Sequence, residues 1–148
     1  MTPLKENFRQ FLDHLRSEKQ MIDLKQPVDI RHIATLVDQC DKAIFFHNVI
    51  GYDMPVVSGI IRSRDRVIMS MGCTEYGQIE QRLRHGIDHP ISPRYLEAPA
   101  MKQVIMQGAE VDLFKLPIPM SSIYDGGPMI TAGVVIAHDP EYGYNSGC

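Results

Sequence analysis

Pro90, Pro93 and Pro99 crowd one short stretch of the chain. No helix interior or central strand can run through them. Each proline lacks an amide donor and fixes its own φ. The segment from His89 to Ala100 therefore reads as a linker or an extended crossing, and its two flanks differ in kind.

Before the break, helix and strand signals alternate. Thr2-Pro3 is a helix start, a capping hydroxyl followed by proline at the first helical position. Phe8, Phe11, Leu12 and Leu15 follow at helical spacing, with Arg9, Asp13, Arg16 and Lys19 on the wet side. Met21, Ile22 and Leu24 read as a short strand. Asp29 is placed to cap a second helix with Ile30, Ile33, Ala34 and Val37 inward. Ala43 to His47 is a buried strand, Asn48 to Asp53 a turn around Gly51, and Val56 to Ser58 another strand. Thr74 caps a helix carrying Tyr76, Ile79 and Leu83, which Gly86 ends. These signals predict a mixed α/β (α+β) domain over residues 1–105.

After the break, Gln103 to Met106 is a candidate strand, and Val111 to Pro119 a turn of helix stopped by proline. Asp125-Gly-Gly-Pro128 is a turn, and Met129 to Ala137 an unbroken apolar run suited to a core strand. His138 to Gly143 is a hairpin loop, and Tyr144 begins the returning strand. Residues 106–148 thus read as the opening of a β domain. An open strand edge invites a partner, so self-association is expected.

Composition narrows the function classes. Lys+Arg is 15 and Asp+Glu 18, a net charge of 15 − 18 = −3 with no basic block. Phosphate backbones need clustered cations, so no nucleic-acid partner is expected. No apolar run has the ~20 residues of a bilayer span, and the first residues lack an apolar signal core. Cys40, Cys73 and Cys148 are odd in number and far apart, which fits a reducing cytoplasm and small apolar roles. Met69, Met71 and Met106 read as core filler. Arg62, Arg64, Arg66, Arg82 and Arg84 read as solvated faces or interface residues. His85 and His89 are four apart, but Gly86 and Pro90 are expected to spoil a shared helix, and no third metal ligand is evident.

Two stretches carry a resemblance. Phe8-Arg-Gln-Phe-Leu12, leading on to Ile22, is similar to the opening of UbiD-family decarboxylases. Asp112 to Pro119, Asp125-Gly-Gly-Pro128, Ile130-Thr-Ala-Gly-Val-Val-Ile136, Asp139-Pro-Glu-Tyr-Gly143 and Asn145 resemble that family's entry into its flavin-binding domain. Asn48 and Gly51 match its Asn-x-x-Gly turn. The resemblance covers the whole chain but only about the first third of a family member. It implies an N-terminal domain followed by the first strands of a flavin-binding split β-barrel. It also implies carboxy-lyase chemistry on aromatic or α,β-unsaturated carboxylic acids, with prenylated FMN, Mn²⁺ or Mg²⁺, and K⁺.

Residue by residue, Asn145 matches the asparagine whose side-chain oxygen ligates the metal, as suits a hard divalent cation. Thr131 matches a threonine near the cofactor, in the strand before it, and Cys148 falls where the backbone begins to track the cofactor. The catalytic arginine and glutamates of the family correspond to positions beyond Cys148, so no catalytic residue is assigned here. From spacing alone, Asn145 reads as a turn residue after Gly143, Thr131 as an ordinary strand residue, and Gly126-Gly127 as a backbone turn. The resemblance implies a partner, either the remainder of the decarboxylase or a separate large subunit, in an oligomer. A non-catalytic module docking on a related decarboxylase subunit is the alternative. A plain flavin-binding protein is a third reading, weakened because one hairpin is small against an FMN pocket.

Overall fold

The computed structural model describes residues 7–92, 96–97 and 103–147. Helix α1 (Phe8–Ser17) starts at Asn7. The Asn7 side chain accepts from the Gln10 amide at 3.0 Å, and the Gln10 side chain accepts from the Asn7 amide at 2.9 Å. This box satisfies two donors that a helix start leaves open. Thr2-Pro3, the expected start, lies outside the described residues.

Helix α1 ends on Lys19 at φ 56°. The Gln20 amide donates to the Leu15 carbonyl at 2.8 Å, and the Lys19 amide to the Arg16 carbonyl at 3.0 Å. This paired closure normally favours glycine at the left-handed position.

Strand β1 (Met21–Leu24) runs parallel to β2 (Ala43–Phe46), with α2 (Ile33–Asp38) between them in sequence. Strand β3 (Val56–Ser58) pairs antiparallel to β2, giving the order β1-β2-β3. Side chains alternate across a strand, so Met21, Ala43, Phe45 and Val57 share one face. Leu12 and Leu15 of α1 cover that face, joined by Met69 of α3 (Arg64–Ser70). Ile44, Phe46, Leu24 and Val56 occupy the other face, against Ile33 and Val37 of α2 and the loop residues Val28 and Val49. Helices on both faces of a small sheet make the mixed α/β domain. Burying each such side chain stabilises the fold by ~1.5–3 kcal/mol.

The turn expected at Asn48–Asp53 is present, with Gly51 at φ 86° and the Asn48 side-chain Nδ2 donating to the Lys25 carbonyl at 2.6 Å. Other expectations fail. Asp29 does not cap α2. Its Oδ1 accepts from the Arg31 amide at 2.9 Å and its carboxylate pairs with the Arg31 guanidinium, so the helix begins at Ile33 behind His32. Helix α4 (Gly77–Asp88) starts after Thr74 and continues through Gly86. It stops at the residue pair His89-Pro90, where proline restricts the preceding residue. None of its residues is buried, and Tyr76 and Leu83 are exposed. His85 and His89 therefore do share a helical face, with rings stacked at 4.3 Å.

Gln103 to Met106 forms no strand, and Met106 is exposed. The expected helical turn appears at Leu113–Lys115, where the Asp112 side chain accepts from the Phe114 amide at 2.9 Å; buried Pro117 follows it. The Met120 amide donates to the Ile30 carbonyl at 3.3 Å, tying this segment to the loop before α2. A hairpin closes the described chain, β4 (Val135–Asp139) antiparallel to β5 (Gly143–Gly147). The core strand expected from Met129 to Ala137 is corrected: pairing begins only at Val135, and every β4 residue is exposed. β4 has one partner strand and no described layer over either face, so its apolar run has nothing to bury against.

Candidate functional site

The hairpin holds the candidate site. Asp139 builds its turn: Oδ1 accepts from the Glu141 and Tyr142 amides, both at 2.8 Å. Those two donors, Tyr142 first, hold the Asp139 carboxyl below the usual aspartate range. Gly143 at φ 81° completes the reversal. The resulting register sets Asn145 opposite Ala137.

Alternation then places Val135, Ala137, Asp139, Gly143, Asn145 and Gly147 on one face. Around Asn145 that face is small. A Cβ built at Gly143 or Gly147 meets nothing within 4 Å. The exposed amide of Asn145 thus stands on a shelf with room beside it for a bulky group. Its oxygen is a donor suited to Mg²⁺ or Mn²⁺. One such oxygen does not hold a metal, and the described residues contain no cluster of three or more His, Cys, Asp or Glu side chains that could. Asp139 on the same face spends its Oδ1 on the turn. The opposite face carries His138 against Tyr144, ring centroids 4.6 Å apart.

Thr131 is corrected from a strand position to an exposed turn preceding β4. The glycine behind it explains this. A Cβ at Gly133 would lie 3.0 Å from the Ile130 side chain, so the chain folds closely on itself there instead of extending. Cys148 lies outside the described residues. The structure therefore sets Asn145 on the hairpin and Thr131 ahead of it.

Sequence reasoning missed Arg66. It is 1% exposed, although it was expected on a solvated face or at an interface. Nε donates to the Gly59 carbonyl at 3.1 Å, and Nη1 to Gln20 Oε1 at 3.2 Å and the Asp41 carbonyl at 2.7 Å. The available signal was spacing: Arg66 lies one helical turn before Met69, on the side of α3 that meets the sheet.

A second polar cluster lies at β1 and β2. Asp23 accepts from Arg16 at 3.1 Å and lies 2.9 Å from His47 Nε2. Arg16 also covers the Phe45 ring, 5.0 Å from its centroid.

Comparison with known proteins accounts for this arrangement. Residues 12–85 match the 3-octaprenyl-4-hydroxybenzoate carboxy-lyase N-terminal domain, and residues 94–148 match the Rift-related domain of the same carboxy-lyase. A protein of the cooM 5′ region of Rhodospirillum rubrum is 34% identical over 89% of this chain and 30% of its own length. The anhydromevalonate phosphate decarboxylase of Methanothermobacter thermautotrophicus is 28% identical over 91% of this chain and 31% of its own. In structure, the UbiD-class enzyme HmfF of Pelotomaculum thermopropionicum, an evolved dimeric form in complex with prFMN, superposes with a TM-score of 0.83. It is 31% identical, over 93% of this chain and 34% of that one. The vanillic acid decarboxylase ShVdcCD of Sedimentibacter hydroxybenzoicus, in an open form with truncated ShVdcD, also gives 0.83. It is 26% identical, over 98% of this chain and 35% of that one. This chain spans about a third of the length of these relatives. Two domains of one carboxy-lyase, matched in order along a shared fold, show that the chain belongs to the UbiD family of decarboxylases.

Proposed function

We propose that this chain is the N-terminal part, or a small subunit, of a UbiD-like carboxy-lyase acting on aromatic or α,β-unsaturated acids with prenylated FMN. The observation that carries this is the paired match of both carboxy-lyase domains, over residues 12–85 and 94–148. The fold it shares with HmfF in complex with prFMN supports the cofactor. In this reading residues 1–105 form the α/β domain, and residues 106–148 open a split β-barrel that further chain completes. When bound, prenylated flavin acts as an electron sink for the substrate's π-system. Asn145 would supply one oxygen ligand to Mn²⁺ or Mg²⁺ in the complete enzyme, which would also hold K⁺. Thr131 and Cys148 line the cofactor. The proton-transfer residues come from the complement, so catalysis belongs to the assembled protein, which in this reading is a cytoplasmic oligomer.

The test is prenylated FMN and Mn²⁺ binding, read by flavin absorbance and calorimetry, to this chain alone and mixed with a candidate large subunit. Binding in the mixture, with CO₂ released from an aromatic acid and lost with Asn145→Ala, is the expected result. Absence of binding in both samples would sink the proposal in favour of a docking module.

A further inference from the structure

Arg66 sits at the end of the sheet where β1 and β2 begin and β3 finishes, and it binds the chain at all three places: Gln20, Asp41 and Gly59. Every one of these acceptors is a neutral oxygen. No carboxylate lies within ion-pair distance of this guanidinium among the described residues. A buried cation normally has an anionic partner, because neutral dipoles alone offset its desolvation only in part. Nη2 donates to no described residue, yet no buried side-chain nitrogen or oxygen there is left without a partner, so Nη2 is not sealed from solvent. The opening is a cavity of about 370 Å³ walled by Arg66, Arg62, Gln20, Asp41 and Asp65.

Arg62 is the second cation of this cavity. Its Nη1 donates to the Val37 carbonyl, and its Nη2 to the Asp38 carboxylate at 2.7 Å. Its Nε is not used in these bonds. Asp41 turns its main-chain carbonyl to Arg66, and the Asp65 carboxylate pairs with neither arginine. Counting Asp38, which pairs with Arg62, two cations meet three carboxylates around the cavity. It therefore suits an oxyanion that also carries a donor for the aspartates.

We propose that this cavity is a binding site for a small oxyanion that carries a hydroxyl, a hydroxycarboxylate or hydrogen phosphate, seated on Arg66 Nη2 with Arg62 beside it. The site lies in the α/β domain and does not depend on the flavin reading. The test titrates sodium glycolate and, separately, inorganic phosphate into the full chain at low ionic strength, with sodium chloride as the control. The Arg66 Nε–H and Gln20 side-chain amide resonances are followed by NMR. Saturable shifts with at least one oxyanion are expected. The two arms separate a planar carboxylate from a tetrahedral phosphate.

Replacing Arg66 removes three buried bonds and endangers the fold, so the informative variants are Asp65→Asn and Arg62→Gln. Asp65→Asn should tighten binding about fivefold and Arg62→Gln weaken it about fivefold, as expected for one nearby charge under partial screening. Shifts that stay linear and match sodium chloride would overturn the proposal. So would saturable binding that neither variant alters.

Discussion

Arg66 Nη1 lies 2.7 Å from the main-chain carbonyl of Asp41, the residue two before β2 begins. Through this bond one side chain of α3 sets where the central strand starts. Arg66→Met should cost about 3–5 kcal/mol, because it strands buried oxygens and leaves no charge to meet them. Arg66→Lys should recover only part of this, since an ammonium lacks the planar fork that reaches Gly59, Gln20 and Asp41 together. Urea unfolding of both variants measures the difference.

Asp23 ties stability to acid. Its carboxyl is held below the usual aspartate value, first by the hydrogen bond from Arg16 and then by that from His47. A depressed carboxyl stabilises the fold above its unfolded pKa, and the contribution disappears as pH falls through the folded value. The loss should begin near ~4 and continue below it. The pair is partly exposed, so Asp23→Asn should cost only about 0.5–1 kcal/mol at neutral pH. The gap between Asp23→Asn and the parent chain should close in acid; thermal melts from pH 7 to pH 3 would show whether it does.

Lys19 holds the left-handed position that closes α1. Glycine relieves the Cβ strain there, so Lys19→Gly should stabilise the chain by about 0.5–1 kcal/mol. An unchanged or lowered denaturation midpoint would contradict that account of the cap.

Leu15 is 0% exposed between α1 and the sheet. Leu15→Ala should cost about 2–5 kcal/mol through lost contacts and an unfilled cavity. Val135→Ala and Ile136→Ala, both on exposed β4 positions, should cost this chain less than about 0.5 kcal/mol. Parallel unfolding of the three variants compares the two halves of the chain.

Much of the α/β domain was legible because its signals are local. The strands at Met21, Ala43 and Val56 and the turn at Gly51 follow from apolar runs and glycine, and these needed no knowledge of distant partners. Arg66 was not legible as a buried residue. Its partners Gln20, Asp41 and Gly59 are far from it in sequence, and charge alone argues for water. The start of α2 was misplaced because Arg31 competes for the Asp29 carboxylate that would otherwise cap it. In the hairpin, Gly143 and Asp139 gave the turn away, whereas the run from Met129 to Ala137 misled. Apolar composition reports a residue's need for cover and does not say which chain provides it. Asn145 entered the candidate site through family resemblance; its spacing to Gly143 spoke for a turn.

The exposure of β4 reaches beyond energetics to how variation in this chain can be read. Where a segment contributes little to its own domain's stability, folding assays are blind to its defects. Under the proposed function, a substitution at Val135, Ile136 or Tyr144 would leave the melting curve of this chain unmoved and still abolish the proposed barrel. In a library ranked by thermostability such positions would pass as tolerant. Ranked by activity of the proposed assembly, the same positions would emerge among the most constrained.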